Sequence, residues 1–158
     1  MKELLRLEPV MKECVWGGKR LVTEFPYHAE GEHIGECWAV SAHPHGDCVV
    51  REGRYAGWKL SELYASHREL FGGITAEEFP LLIKIIDAKA DLSIQVHPDD
   101  AYAAEHENGS LGKMECWYIL DCEPDSRLVI GHNAKTHEEL EDMVHNGRWS
   151  ELIREVPV

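Results

Sequence analysis

Apolar and polar residues alternate with a period of two over several short stretches of this chain, and strands are the element that such a pattern builds. Residues 4–10, 37–42, 47–51, 81–87, 92–97, 115–121 and 127–131 read as strands. Turn chemistry separates several of them, as in His45-Gly46-Asp47, Glu52-Gly53 and Cys122-Glu123-Pro124-Asp125. Helical signals fall in between. Ser61 is placed to cap a helix over 62–70 that Gly72-Gly73 stops, and Asp99 to cap one over 100–107 ended by Asn108-Gly109. Thr136 with Glu139 forms a capping box for a helix reaching Asn146, closed by Gly147. An amphipathic stretch over 149–154 then runs into Val156-Pro157-Val158, which reads as the start of another strand. Many short strands with helices inserted between them predict a mainly β fold: an antiparallel β sandwich or barrel carrying extra helices.

Composition narrows this picture. At 158 residues the chain has the size of a single domain, and its 44% apolar and 28% charged residues are those of a globular protein rather than a disordered one. No apolar run approaches the roughly 20 residues that span a membrane. The start, Met1-Lys2-Glu3-Leu4-Leu5-Arg6, lacks a signal peptide's apolar core, so the expected location is cytoplasmic. Acids outnumber bases 29 to 16, a formal charge of −13 that argues against nucleic acid and anionic membranes as partners. A phosphate site in such a chain has to be a local island of basic groups. The five cysteines are irregularly spaced without a Cys-x-x-Cys pair, which argues against a disulfide framework or a Cys-rich zinc knot and reads as small core residues, Cys37 and Cys116 each lying before a Trp.

Candidate chemistry concentrates in two of the strands. In Asp91-Leu92-Ser93-Ile94-Gln95-Val96-His97-Pro98, alternation sends Leu92, Ile94 and Val96 to one face and Ser93, Gln95 and His97 to the other. Gln95 and His97 then lie roughly 6.5–7 Å apart at Cα, close enough to converge on one ion. In Lys113-Met114-Glu115-Cys116-Trp117, the residues Lys113, Glu115 and Trp117 share a face. A carboxylate, an imidazole and an amide oxygen suit Zn²⁺, although a His at a strand end is more often structural and Gln is an uncommon zinc ligand. His43-Pro44-His45 reads as a solvated turn and not as a metal pair, while His106, His132, His137 and His145 lie in polar contexts with no evident partner.

Longer strings carry a resemblance. Phe79-Pro80-Leu81-Leu82-Ile83-Lys84-Ile85-Ile86-Asp87, Leu92-Ser93-Ile94-Gln95-Val96-His97-Pro98-Asp99 and Gly112-Lys113-Met114-Glu115 resemble type I phosphomannose isomerases. Val15-Trp16-Gly17-Gly18, Gly35-Glu36-Cys37-Trp38 and Tyr118-Ile119-Leu120-Asp121 are similar to the same family, especially its shorter bacterial members, in the same order along nearly the whole chain. The resemblance implies a cupin-like fold, with 1–158 as one domain like the amino-terminal metal-binding part, and reversible conversion of mannose 6-phosphate to fructose 6-phosphate through an enediol(ate). It implies one Zn²⁺ per chain held by Gln95, His97 and Glu115, with the fourth His and the substrate-binding Arg expected beyond residue 158. By the same resemblance Lys84 and Lys113 are the candidates for acid/base work, and Ser93, Trp16 and Glu36 for substrate contact.

Each of these residues also has a plainer reading. Lys84 reads as a strand lysine whose stem lies on apolar surface, Lys113 as a turn lysine, Ser93 as a small strand residue and Trp16 as core. Because the family's fold is longer, the expectation is an incomplete barrel with its carboxy-terminal half absent, binding zinc weakly and isomerising poorly or not at all alone. Open sheet edges make a homo-oligomer a further expectation. The alternative function is a non-catalytic module that binds a sugar phosphate or a metal.

Overall fold

A computed structural model describes residues 4–25 and 28–158; Met1–Glu3, part of the start read above for a signal peptide, lie outside the described residues. The chain gathers into two compact units, Met1–Leu92 and Ser93–Val158. It is mainly β, with antiparallel pairing throughout and short inserted helices, as the alternation predicts. Among the described residues no helix is long and apolar enough to cross a membrane.

The first unit is organised by three strands, β2 (Val10–Gly18), β3 (Ile34–Val40) and β7 (Ile83–Ile86), with β3 in the middle. Met11 and Ile85 pair with Cys37 from either side, and all three join Leu21 and Ile34 in a buried cluster. One residue along, Lys12 pairs with Glu36 and Lys84 with Trp38, so the period of two carries these four to the opposite face. Gly35 lets the strands close up there. A Cβ on it would lie 2.7 Å from both Cys14 Cβ and Trp16 Cζ3, so the Trp16-Gly17 and Gly35-Glu36 strings form one packed contact.

Around this sheet lie α1 (Arg20–Thr23), the pair β1 (Leu7–Glu8) with β6 (Val49–Val50), and the hairpin β4 (Ala42–His43) with β5 (Gly46–Asp47). Pro44 and His45 form the turn of that hairpin, and both histidines are exposed, as the turn reading expects. Helix α2 (Leu60–Ser66) buries Leu63 against Val50 and Tyr55, and a 3-10 turn over Arg68–Phe71 stops at left-handed Gly72. Ser61 does not cap this helix. The N-cap is Lys59, and Ser61 instead binds Asp47 through both its N–H (3.2 Å) and its hydroxyl (2.5 Å), a carboxylate brought to the first turn from another strand.

In the second unit α3 (Asp100–His106) begins where Asp99 accepts the Tyr102 N–H at 2.8 Å, as expected. Helix α4 (His137–His145) starts at Thr136, which accepts the Glu139 N–H, while Glu139 reaches the Lys135 N–H at 2.6 Å. After α5 (Trp149–Leu152), β9 (Ile153–Pro157) pairs with β8 (Arg127–His132), so the chain does finish in a strand. Two expected strands, 92–97 and 115–121, have no ladder partner among the described residues. Alternation fixes which side chains share a face; it does not supply the neighbouring strand that makes a ladder. Cys37 and Cys48 are core residues as expected, and burial pushes the Cys37 thiol up to about 11, but Cys116 and Cys122 are exposed. Cys116 lies on the unladdered stretch, where no described residue buries it.

Candidate active site

In the second unit the geometry starts from Gly112. A Cβ there would meet the Asp100 nitrogen and the Asp99 carbonyl carbon at 2.5 Å, so only glycine allows this backbone to press on the entry to α3. Two hydrogen bonds hold the contact: Gly112 N–H to Asp100 Oδ1 at 2.8 Å and Lys113 N–H to the Pro98 carbonyl at 3.1 Å. These join the segment of Glu115 to the segment of His97. Gly112→Ala is expected to cost about 1–3 kcal/mol, the usual range for overpacking, measured by urea denaturation. A loss below a few tenths would show that this backbone contact gives way freely.

The join brings three side chains together. His97 Nε2 lies 2.9 Å from Glu115 Oε2, and the Lys113 ammonium lies 3.0 Å from the same Nε2 and 3.2 Å from Glu115 Oε1. One ring nitrogen thus faces both a carboxylate and an ammonium, and it serves one or the other according to its tautomer. Burial raises the Glu115 carboxyl, but the hydrogen bonds from His97 and Lys113 and the Lys113 charge outweigh it and hold the group below the usual range. A depressed carboxyl stabilises the fold above its unfolded pKa of about 4.3 and loses that contribution as pH falls through the lower folded value. Lys113→Met is therefore expected to raise the Glu115 pKa in a carboxyl-carbon NMR titration. An unmoved midpoint would remove Lys113 from this cluster.

Gln95 donates its amide N–H to Ser93 Oγ at 2.8 Å on its own segment, and the amide oxygen is its atom with the chemistry to bind a cation. Among the described residues no three His, Cys, Asp or Glu side chains converge, so the set is one imidazole and one carboxylate, with Gln95 as the amide candidate. The donor chemistry fits a divalent cation. Nε2 and Oε2 meet closely, and the positive charge they share is that of Lys113.

The first unit assembles a different group. Lys84 Nζ pairs with Glu36 at 3.2 Å, both side chains about four-fifths buried, so Lys84 is an ion-paired residue of the sheet face and not a stem reaching for solvent. Trp38 donates its indole N–H to Glu36 Oε2 at 2.6 Å, with the Lys84 and Lys12 ammoniums 5.0 and 4.7 Å from its ring centroid. By sequence Trp38 enters only within the Gly35-Glu36-Cys37-Trp38 string and Lys12 not at all, although Glu36 and Trp38 share a face by counting two. Trp16 packs on Gly35, and its carbonyl accepts the Lys89 and Ala90 N–H groups, at 2.9 and 3.2 Å. His137, without a partner by sequence, lies 3.2 Å from Glu141 one helical turn on.

Comparison with known proteins gives this geometry a context. Residues 4–118 match the family model described as phosphomannose isomerase type I, catalytic domain. Mannose-6-phosphate isomerase ManA of Bacillus subtilis (strain 168) is 53% identical over 156 residues, which are 99% of this chain and 49% of that protein. The mannose-6-phosphate isomerase of Streptococcus mutans serotype c is 51% identical over 158 residues, all of this chain and 50% of its own length. A crystal structure of the mannose 6-phosphate isomerase from Bacillus subtilis matches with a TM-score of 0.92 at 49% identity, covering 98% of this chain and 49% of that one. The chain spans about half the length of the curated relatives it matches.

Proposed function

The chain belongs to the type I phosphomannose isomerase family, and from that premise we propose that it carries the metal-binding part of an aldose–ketose isomerase acting on mannose 6-phosphate and fructose 6-phosphate. The observation that carries the reading is the His97–Glu115–Lys113 cluster, closed to 2.9–3.2 Å inside the stretch that matches the family's catalytic domain. Gln95, His97 and Glu115 would hold one Zn²⁺, which would supply polarisation of substrate oxygens and offset the negative charge that develops as the sugar isomerises.

The residues of the chain do the remaining work. Isomerisation moves a proton between adjacent carbons of the opened sugar, and a lysine at the site, once its ammonium has released a proton to solvent, can take it up and return it. Lys113 is the candidate carrier beside the ligands, and Lys84, fixed by Glu36, the second. Ser93 offers a hydroxyl to a sugar or phosphate oxygen, Glu36 a carboxylate to a sugar hydroxyl, and Trp16 an apolar wall. The domain reading goes with this: residues 1–158 act as the amino-terminal metal-binding part, in the cytoplasm. The half-length span of the chain against its relatives favours weak turnover by these residues alone.

A coupled assay reporting fructose 6-phosphate, run beside zinc titration of the purified chain, tests this. One equivalent of zinc, lost in His97→Ala, with turnover under about one-hundredth of a full-length relative's, is the expected result. Zinc binding with no turnover under any condition favours a non-catalytic metal-binding module. Absence of stoichiometric zinc binding overturns the reading.

A further inference from the structure

Lys12 carries a charge that its surroundings leave without a carboxylate. It lies half-buried on β2 opposite Glu36, where its ammonium donates to the His45 carbonyl and sits 4.7 Å from the Trp38 ring centroid. Glu36 is already engaged by Lys84 at 3.2 Å and by the Trp38 indole N–H at 2.6 Å. Two carboxylates close in sequence are also engaged elsewhere. Glu13 lies against Gly31, 3.4 Å from where a Cβ would stand, and Asp47 holds Ser61. Among the described residues no acid comes within ion-pair distance of Lys12.

The hairpin of β4 and β5 brings a further donor to the same place. Its turn presses on Trp38, since a Cβ on Gly46 would lie 2.7 Å from Trp38 Cε3, and the His43 ring meets the Trp38 ring edge-on at 5.7 Å. His43 Nδ1 accepts the His45 N–H at 3.1 Å, so the neutral ring carries its proton on Nε2. That N–H has no acceptor among the described residues. One residue thus holds both groups, His45 binding Lys12 through its carbonyl and His43 through its N–H.

We propose that Lys12 and His43 form a binding site for a phosphate dianion, Lys12 supplying the charge and His43 Nε2–H a second donor. A half-buried ammonium has given up part of its hydration, and a phosphate oxygen restores the lost bonds with charge. Lys84 stays with Glu36 and adds attraction at longer range. In a chain of formal charge −13 this is the local excess of basic groups that a phosphate site requires. A free phosphate ion and the phosphate of a sugar ester present the same oxygens. The inference stands on these residues and not on the isomerase reading.

The test is an NMR titration of the chelator-treated, isotope-labelled chain with inorganic phosphate, mannose 6-phosphate and, as control, mannose, at constant ionic strength. The expected result is a saturable shift of the Trp38 indole N–H and the Gly46 N–H with both phosphates and none with mannose. Lys12→Gln is expected to raise the dissociation constant about tenfold or more, the loss of one charge-assisted hydrogen bond, and Lys12→Arg to restore binding. His43→Phe, on an exposed turn, should weaken binding by a smaller factor. Affinity for mannose 6-phosphate more than about tenfold above that for inorganic phosphate assigns the site to the sugar ester, and comparable affinities assign it to the free ion; both support the site. No saturable shift with either phosphate, equal shifts with mannose, or unchanged affinity in Lys12→Gln overturns it. The shifts of the unsubstituted chain decide the location without any variant, so a Lys12→Gln chain that fails to fold does not shield the proposal. Zinc and turnover are not read, and failure here leaves the isomerase reading standing.

Discussion

Glu115→Ala is expected to weaken zinc binding by more than about 100-fold, beyond the 10- to 100-fold typical for losing a group that merely supports a ligand. Two effects add. The substitution removes an anionic donor whose Oε2 lies 2.9 Å from His97 Nε2, and it strips Lys113 of its counter-charge at 3.2 Å. The remaining site opposes an incoming dication with an unpaired ammonium. Glu115→Gln keeps the shape but not the charge, so it should fall between the two, and Lys113→Met should tighten binding. All three are read by competition with a chromophoric chelator. The Glu115 side chain is about one-third exposed, so its loss opens no core cavity and unfolding should be nearly unchanged. Full affinity in Glu115→Ala would strike it from the ligand set.

Leu63→Ala should have the largest effect on stability, about 2–5 kcal/mol. Leu63 is fully buried on α2 against Val50 and Tyr55, with Leu5, Leu7, Leu70 and Phe71 packed around that cluster. It joins a two-stranded ladder to a short helix that also buries Leu60 and Tyr64, so the lost isobutyl group leaves a cavity within packed side chains. Against a total stability of about 5–15 kcal/mol such a loss is a large fraction, and the urea midpoint should fall with little change in slope. Leu120→Ala is the contrast. At 73% exposure it should shift the midpoint by no more than about 0.5 kcal/mol, and a comparable loss at both positions would contradict the assignment of the core.

These two predictions mark what could be read from residue order alone. Alternation and turn chemistry locate β3, β7 and β8 to within a few residues, and Asp99 and Thr136 cap their helices as their side chains require. Strand β2 does not show in the alternation, because bulges at Lys12/Glu13 and Glu13/Gly18 break its period of two along most of its length. The Ser61 cap failed because a stronger acceptor, Asp47, arrives from a strand that local reading cannot place. The same limit applies to the site. Counting two sets His97 on the face of Gln95, but the meeting of His97 with Glu115 depends on the Gly112 contact with α3, which no period encodes. Resemblance supplied that pair; geometry then added Trp38 and Lys12, whose roles depend on register across three strands.

The central place of β3 also sets an order of events during synthesis. Its first partner, β2, precedes it and can pair as soon as Val40 is free, whereas its second, β7, ends only at Ile86. At about 5–20 residues per second the ribosome takes on the order of several seconds to deliver the segment between Glu36 and its partner Ile86. Through that interval one edge of β3 stands open, and Lys84 has not yet reached Glu36. The nascent chain therefore passes through a stage in which a half-formed sheet holds Glu36 with the Trp38 indole but without its Lys84 counter-ion. Slowing translation before residue 83 prolongs that stage, and the open edge is where a chaperone, or a wrong strand, would first take hold.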